Sequence, residues 1–159
     1  MASSGVPVLS PLIYSYLRFA VPGAPPQLVA SSGGAESYDG PKVQVPVTIL
    51  GTPEAIVYVR PNAPEFQLNV LLYDVDARGR AKLIAHSPYT VRNATPGQVH
   101  QVQLQMNVVS HRLDTSHRLR VVISTSDSAY VLPVLRNFDL KIYHNSHYPS
   151  QIRLPVLAC

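Results

Sequence analysis

Residues 68–92, LNVLLYDVDARGRAKLIAHSPYTVR, constrain the fold more than any other stretch. In an extended chain, side chains alternate between two faces. Leu68, Val70, Leu72 and Asp74 then share one face, and Asn69, Leu71, Tyr73 and Val75 share the other. Both sets are mostly apolar, so this strand is expected to be covered on both sides. The run breaks at Asp76-Ala77-Arg78-Gly79, where Asp bonds its own backbone and Gly accepts a positive φ. The spacing predicts a hairpin with a bulge at Gly79, and a return strand from Ala81 that is apolar on one side only.

The rest of the chain repeats this pattern. Val43, Val45, Val47 and Ile49 alternate with polar residues, with Pro46 placing the strand at an edge or a bulge. Ala55–Arg60, Val99–Val108, Leu119–Thr125, Phe138–Tyr143 and Ser150–Leu157 read as further strands. His111–Ser116 reads as a polar connection. Residues 21–42 are rich in Pro, Gly and Ser and read as a loop, with at most a short strand at Gln27–Ala30. No long helical period occurs. About eight short strands with frequent turn signals are the pattern of a β-sandwich or jelly roll. The expected division is an N-terminal apolar segment and loop over 1–42, wrapping the sandwich or a partner, and a sandwich domain over 43–159.

Composition narrows the function. A chain of 159 residues suits one domain with a sizeable core. The formal charge is +4, but the 13 basic residues are scattered, so no phosphate track forms and no nucleic-acid partner is expected. No run reaches the roughly 18 consecutive apolar residues of a membrane span. The single cysteine, Cys159, excludes an intrachain disulfide and a thiolate metal site. Only 14% of residues are charged, which leans slightly towards a secreted or periplasmic protein, although residues 1–17 make a poor signal peptide. Asn93-Ala94-Thr95 is a glycosylation sequon.

Chemistry-bearing motifs are few. The G-x-S-x-G elbow is absent, so no catalytic residue is assigned. Asp74-x-Asp76-x-x-Gly79 has the opening of a calcium loop, yet Arg78 and Ala85 stand where that loop needs oxygen ligands. His144 and His147 would point to opposite faces of an extended segment, so they do not make a metal pair. His111 and His117 form the other close histidine pair. No metal and no cofactor is expected. Nine tyrosines and three phenylalanines are compatible with sugar stacking as well as with core packing.

Several motifs, taken in order and spacing, resemble a known family. They are Gly51-Thr52-Pro53-Glu54, Leu72-Tyr73-Asp74-Val75-Asp76 followed by Gly79-Arg80, and Pro96-Gly97 before an amphipathic strand. His117-Arg118-Leu119-Arg120-Val121-Val122-Ile123-Ser124-Thr125-Ser126 and Ser150-x-Ile152-x-Leu154-Pro155-Val156 complete them. Over about residues 43–157 the chain is similar to the C-terminal non-catalytic domain of X-Pro dipeptidyl-peptidase and cocaine-esterase type (CocE/NonD) serine hydrolases. One departure is Ser116, where the family has Gly, which suggests a less sharp turn. A second is the stretch after Thr125, where only Pro133 and Asn137 match the family's loop.

The resemblance implies an all-β, jelly-roll β-sandwich, galactose-binding-domain-like. It also implies a partner: an α/β-hydrolase catalytic domain carrying Ser, Asp and His, in the same or a separate chain. The 159 residues leave no room for that domain here. The jelly roll would pack against it and shape its active-site entrance. Leu12, Ile13, Tyr14, Tyr16 and Phe19 form the candidate docking surface. A homo-oligomer is a further partner to consider. The alternative is a free-standing carbohydrate- or ligand-binding module, with Tyr130, Tyr143, His144, His147 and Tyr148 converging at loop ends.

Overall fold

The computed structural model describes residues 2–3, 34–125 and 138–157. Among these, every regular element is a strand: β1 Ala2–Ser3, β2 Ala35–Asp39, β3 Val47–Gly51, β4 Glu54–Pro61, β5 Phe66–Val75 and β6 Ala81–Val91. β7 His100–Gln105, β8 Val109–Leu113, β9 Arg118–Ser124, β10 Asp139–Tyr143 and β11 Gln151–Arg153 follow. One sheet runs β2-β9-β5-β6. The opposing sheet has β4 at its centre, with β7 on one edge. On the other edge β10 pairs with Tyr58–Pro61 and β11 with Glu54–Ile56, and β1 lies beyond β10. β3 and β8 form a third, two-stranded sheet, joined to the C-terminal stretch by a bridge between Ile49 and Val156.

β5 holds this arrangement together. All ten of its residues are buried. It pairs with β6 along its whole length and with β9 from Asn69 to Val75, so its backbone groups are satisfied on both edges. Leu68, Val70 and Leu72 enter the core between the sheets, against Val57 and Val59 of β4 and Leu140 of β10. Leu71, Tyr73 and Val75 pack on the opposite face with Val122. The two-sided cover expected from the alternation is therefore observed.

The hairpin turn is built as its residues dictate. Asp76 Oδ1 accepts the backbone N–H groups of Arg78 and Arg80, each at 2.9 Å. These donors, the Arg80 amide foremost, hold the Asp76 carboxyl below its ordinary range. Gly79 takes φ +84°. The bulge, however, lies at Leu72/Tyr73 rather than at Gly79. Both Asp76 carboxylate oxygens are engaged within this turn, Oδ2 by the Arg80 guanidinium at 2.6 Å.

Four further readings differ from the structure. Ala35–Asp39, inside the expected loop, is β2, paired along its length with β9. Its polar sequence hides it because Asp39 is bound by the Arg120 guanidinium at 2.5 and 2.9 Å and by Arg118 at 2.9 Å. Those bonds, Arg120's first, hold the Asp39 carboxyl below the usual range. Val43 and Val45 precede β3 and do not join it. Val45 is 67% exposed, and the strand starts only after Pro46, which lacks a donor. His111–Leu113, expected to be a connection, belongs to β8. The turn at Ser116 is as sharp as glycine would make it, since Ser116 itself takes φ +70°.

A side chain with a Cβ is strained in that left-handed region. Ser116→Gly is therefore expected to raise the unfolding free energy by about 0.5–1 kcal/mol. Urea denaturation of the two chains with an unchanged m-value checks it; equal or lower stability in the variant contradicts the strain.

Candidate functional site

Three features outside the simple core stand out. They lie at the strand ends where Asp74 meets β8 and β9, on the outer face of β4 and β10, and in the gap between the two sheets.

Asp74 belongs to the inward-pointing series of β5, so its carboxylate needs partners where neighbours are apolar. Two histidines supply them. His111 Nε2, from β8, lies 2.8 Å from Asp74 Oδ2. His117 Nδ1, just before β9, lies 2.8 Å from Asp74 Oδ1. The Asp74 side chain is 8% exposed, and the two imidazoles 14% and 23%. Each ring N–H donates to a separate carboxylate oxygen, so one acid ties the end of β5 to β8 and to the turn before β9. The arrangement is a clamp between strand ends. Among the described residues no group of three metal-ligating side chains is poised for a cation.

The second feature gathers part of the expected ligand-binding set. Tyr143, Tyr58 and Gln101 are cross-strand neighbours on β10, β4 and β7. Tyr148 packs on Tyr58 and Tyr143, with ring centroids 5.6 and 5.2 Å apart, and His147 packs edge-on against Tyr148 at 4.6 Å. The loop carrying them is folded by Asn145, whose Oδ1 accepts the His147 and Tyr148 amides at 3.0 and 2.8 Å. Lys141 Nζ sits 5.6 Å from the Tyr143 ring centroid.

His144 points elsewhere. It meets Tyr38 of β2 edge-on, centroids 5.1 Å apart. His144 and His147 thus diverge, but through the bend at 145–148 and not through the extended backbone that the spacing argument assumes. Behind His144 and Tyr38 lies a cavity of about 200 Å³. Its floor is Ala55, Val57, Val70 and Ile123, and Ile142 and Ile152 form a wall. Burial, with the Glu36 charge second, pushes the Tyr38 phenol above its ordinary pKa. The cavity exists because β4 changes partner here, from β10 to β11. Ser150 patches that break: its Oγ accepts the Tyr58 N–H at 2.9 Å and donates to the Tyr143 carbonyl.

Leu12, Ile13, Tyr14, Tyr16, Phe19 and Tyr130 lie outside the described residues. Tyr38, Tyr58, Ser150 and the Asp74–His111–His117 group are missed by sequence reasoning. One signal was present: an acid in an otherwise apolar inward series requires a buried partner, and His111 and His117 flank a tight turn.

The comparisons with known proteins agree with this architecture. The family model described as the X-Pro dipeptidyl-peptidase C-terminal non-catalytic domain matches residues 31–152. No curated protein sequence matches the chain. A crystal structure of an aminopeptidase from a marine-sediment Thaumarchaeota archaeon is similar at TM-score 0.70 and 14% identity, over 84% of this chain and 27% of that one. An α-amino acid ester hydrolase is similar at TM-score 0.68 and 16% identity, over 82% and 27%. A CocE/NonD family hydrolase from Staphylococcus aureus is similar at TM-score 0.63 and 12% identity, over 79% and 33%. The chain thus spans about a third or less of these proteins' lengths.

The clamp generates a stability prediction. Asp74→Ala leaves two shielded imidazoles without an acceptor and is expected to lower the unfolding free energy by about 3 kcal/mol. A loss of less than about 1 kcal/mol in chemical denaturation would show the clamp to be marginal.

Proposed function

This chain belongs to the X-Pro dipeptidyl-peptidase C-terminal non-catalytic domain family, and from that premise we propose that it is an accessory domain of a serine hydrolase of the X-Pro dipeptidyl-peptidase or esterase type. Its role is to pack against an α/β-hydrolase catalytic domain and to shape the entrance to that domain's active site. The observation that carries the reading is the family match across residues 31–152, a region that lacks the nucleophile elbow. The sandwich supports it physically. A two-sided core around β5 and a carboxylate clamped by two histidines make a stiff body, which suits a domain that positions another one.

Docking is assigned to the apolar segment containing Leu12, Ile13, Tyr14, Tyr16 and Phe19, whose residue types match the core of a protein interface. A second apolar area adjoins the β3 edge. Leu50, Val156 and Leu157 are 46%, 54% and 53% exposed, and the backbone bonds Leu50 N–H to Pro155 O and Leu157 N–H to Thr48 O hold them side by side.

Sedimentation velocity on the chain alone, and mixed with a separately produced α/β-hydrolase domain from the same source, tests the reading. A faster-moving complex is expected. Tyr14→Ala with Tyr16→Ala is expected to weaken it at least tenfold, the effect of losing about 1.4 kcal/mol at an interface anchor. A chain that sediments as an unassociated species in the presence of that domain, at concentrations well above those of ordinary domain contacts, contradicts the accessory role.

A further inference from the structure

The cavity between the sheets goes beyond a docking role and is independent of it. Protein interiors are close-packed, and voids larger than a water molecule are few. Here about 200 Å³ stands open between β4 and the β9-β5 pair. Ala55, Val57 and Val70 at its floor are 0–2% exposed, so the space reaches the centre of the molecule. Comparable apolar cavities of about 150 Å³ hold one benzene ring. The gap lies between two sheets, which favours a flat occupant. Among the described residues that line it, the aromatic groups are at the rim, where Tyr38 and His144 meet edge-on. Among the described residues neither the Tyr38 hydroxyl nor the His144 ring has a hydrogen-bond partner. The rim therefore offers a donor and an acceptor to a polar substituent, beside an apolar slot that fits the ring.

We propose that this cavity is a binding site for a small neutral monocyclic aromatic molecule bearing one hydroxyl, with the ring between the sheets and the hydroxyl at Tyr38 and His144. The charge at the rim sharpens the class. Glu36 stands two residues before Tyr38 on β2, so strand alternation puts its carboxylate on the same face as the rim tyrosine, and no described lysine or arginine lines the cavity. An anionic ligand is therefore disfavoured against an uncharged phenol.

The test uses the full chain and p-cresol, followed by amide chemical shifts in a titration and by NOEs from the ligand ring to protein methyl groups. Saturable binding is expected, with a dissociation constant on the order of 1 mM or tighter for a ligand of this size. The NOEs are expected at Val57, Val70 and Ile142. Ala55→Leu places three extra carbons in the cavity and is expected to abolish binding. Tyr38→Phe is expected to weaken p-cresol roughly fivefold, the worth of one hydrogen bond, while leaving toluene unchanged. p-Hydroxybenzoate is expected to bind more weakly than p-cresol. Absence of saturation at ten times the expected constant overturns the proposal. So do NOEs to the exterior rings of Tyr143 and Tyr148 in place of the cavity methyls. Should Ala55→Leu fail to fold, the NOE pattern of the native chain alone decides.

Discussion

The structure depends on one strand that water cannot reach from either side. β5 contributes Leu68, Val70 and Leu72 to the core between the sheets and Leu71, Tyr73 and Val75 to the opposite face. A strand of this kind cannot stand at an edge. It needs a partner on each side for its backbone and a layer on each side for its side chains. β6 and β9 are the partners, and β4 with β7 and β10 forms the inner layer. The remaining elements can then be read as consequences. β2 protects the free edge of β9, and the Asp39–Arg120 pair fixes it there in place of apolar packing. Asp74, carried to the end of this strand, requires the histidines that bind β8 and the turn before β9.

The parts of this fold legible in the sequence are those where alternation and turn chemistry agree. β4, β5 and β6 are readable because their apolar positions recur every second residue and because Asp76 and Gly79 mark the turn. β2 and β8 are not readable for a common reason. Their stability comes from long-range partners, Arg118 and Arg120 in one case and Asp74 in the other, which no local pattern encodes. Val43 and Val45 err in the opposite direction: they alternate correctly, but the strand begins only after Pro46, and the Val43 backbone bonds Ser116 and His117 instead. Ser116 shows that turn geometry can be imposed by the surrounding structure on a residue that does not favour it.

The site was legible only by halves. Tyr143, His147 and Tyr148 do meet, because the Asn145 side chain folds their loop back onto β4. Their neighbour His144 falls on the other side of the same strand end, by the alternation that governs every strand. The cavity it borders could not be foreseen, since it arises where β4 exchanges β10 for β11. Ser150, part of the family-like C-terminal motif, has a structural explanation at this point: its hydroxyl replaces the backbone partner that β4 lacks between the two strands. Asp74, His117 and Ser150, all within the family-like motifs, thus stand where polar groups would otherwise be left unmet.

Native-state hydrogen exchange, read amide by amide, addresses the central role of β5 most directly. If β5 is the strand on which the rest is assembled, the amides of Leu68 to Tyr73 exchange only through global unfolding. Their opening free energy then equals the unfolding free energy from denaturant, while β3 and β8 open at lower cost. Exchange of the β5 amides through a cheaper, local opening, with the slowest amides in β3 or β8 instead, would contradict the account.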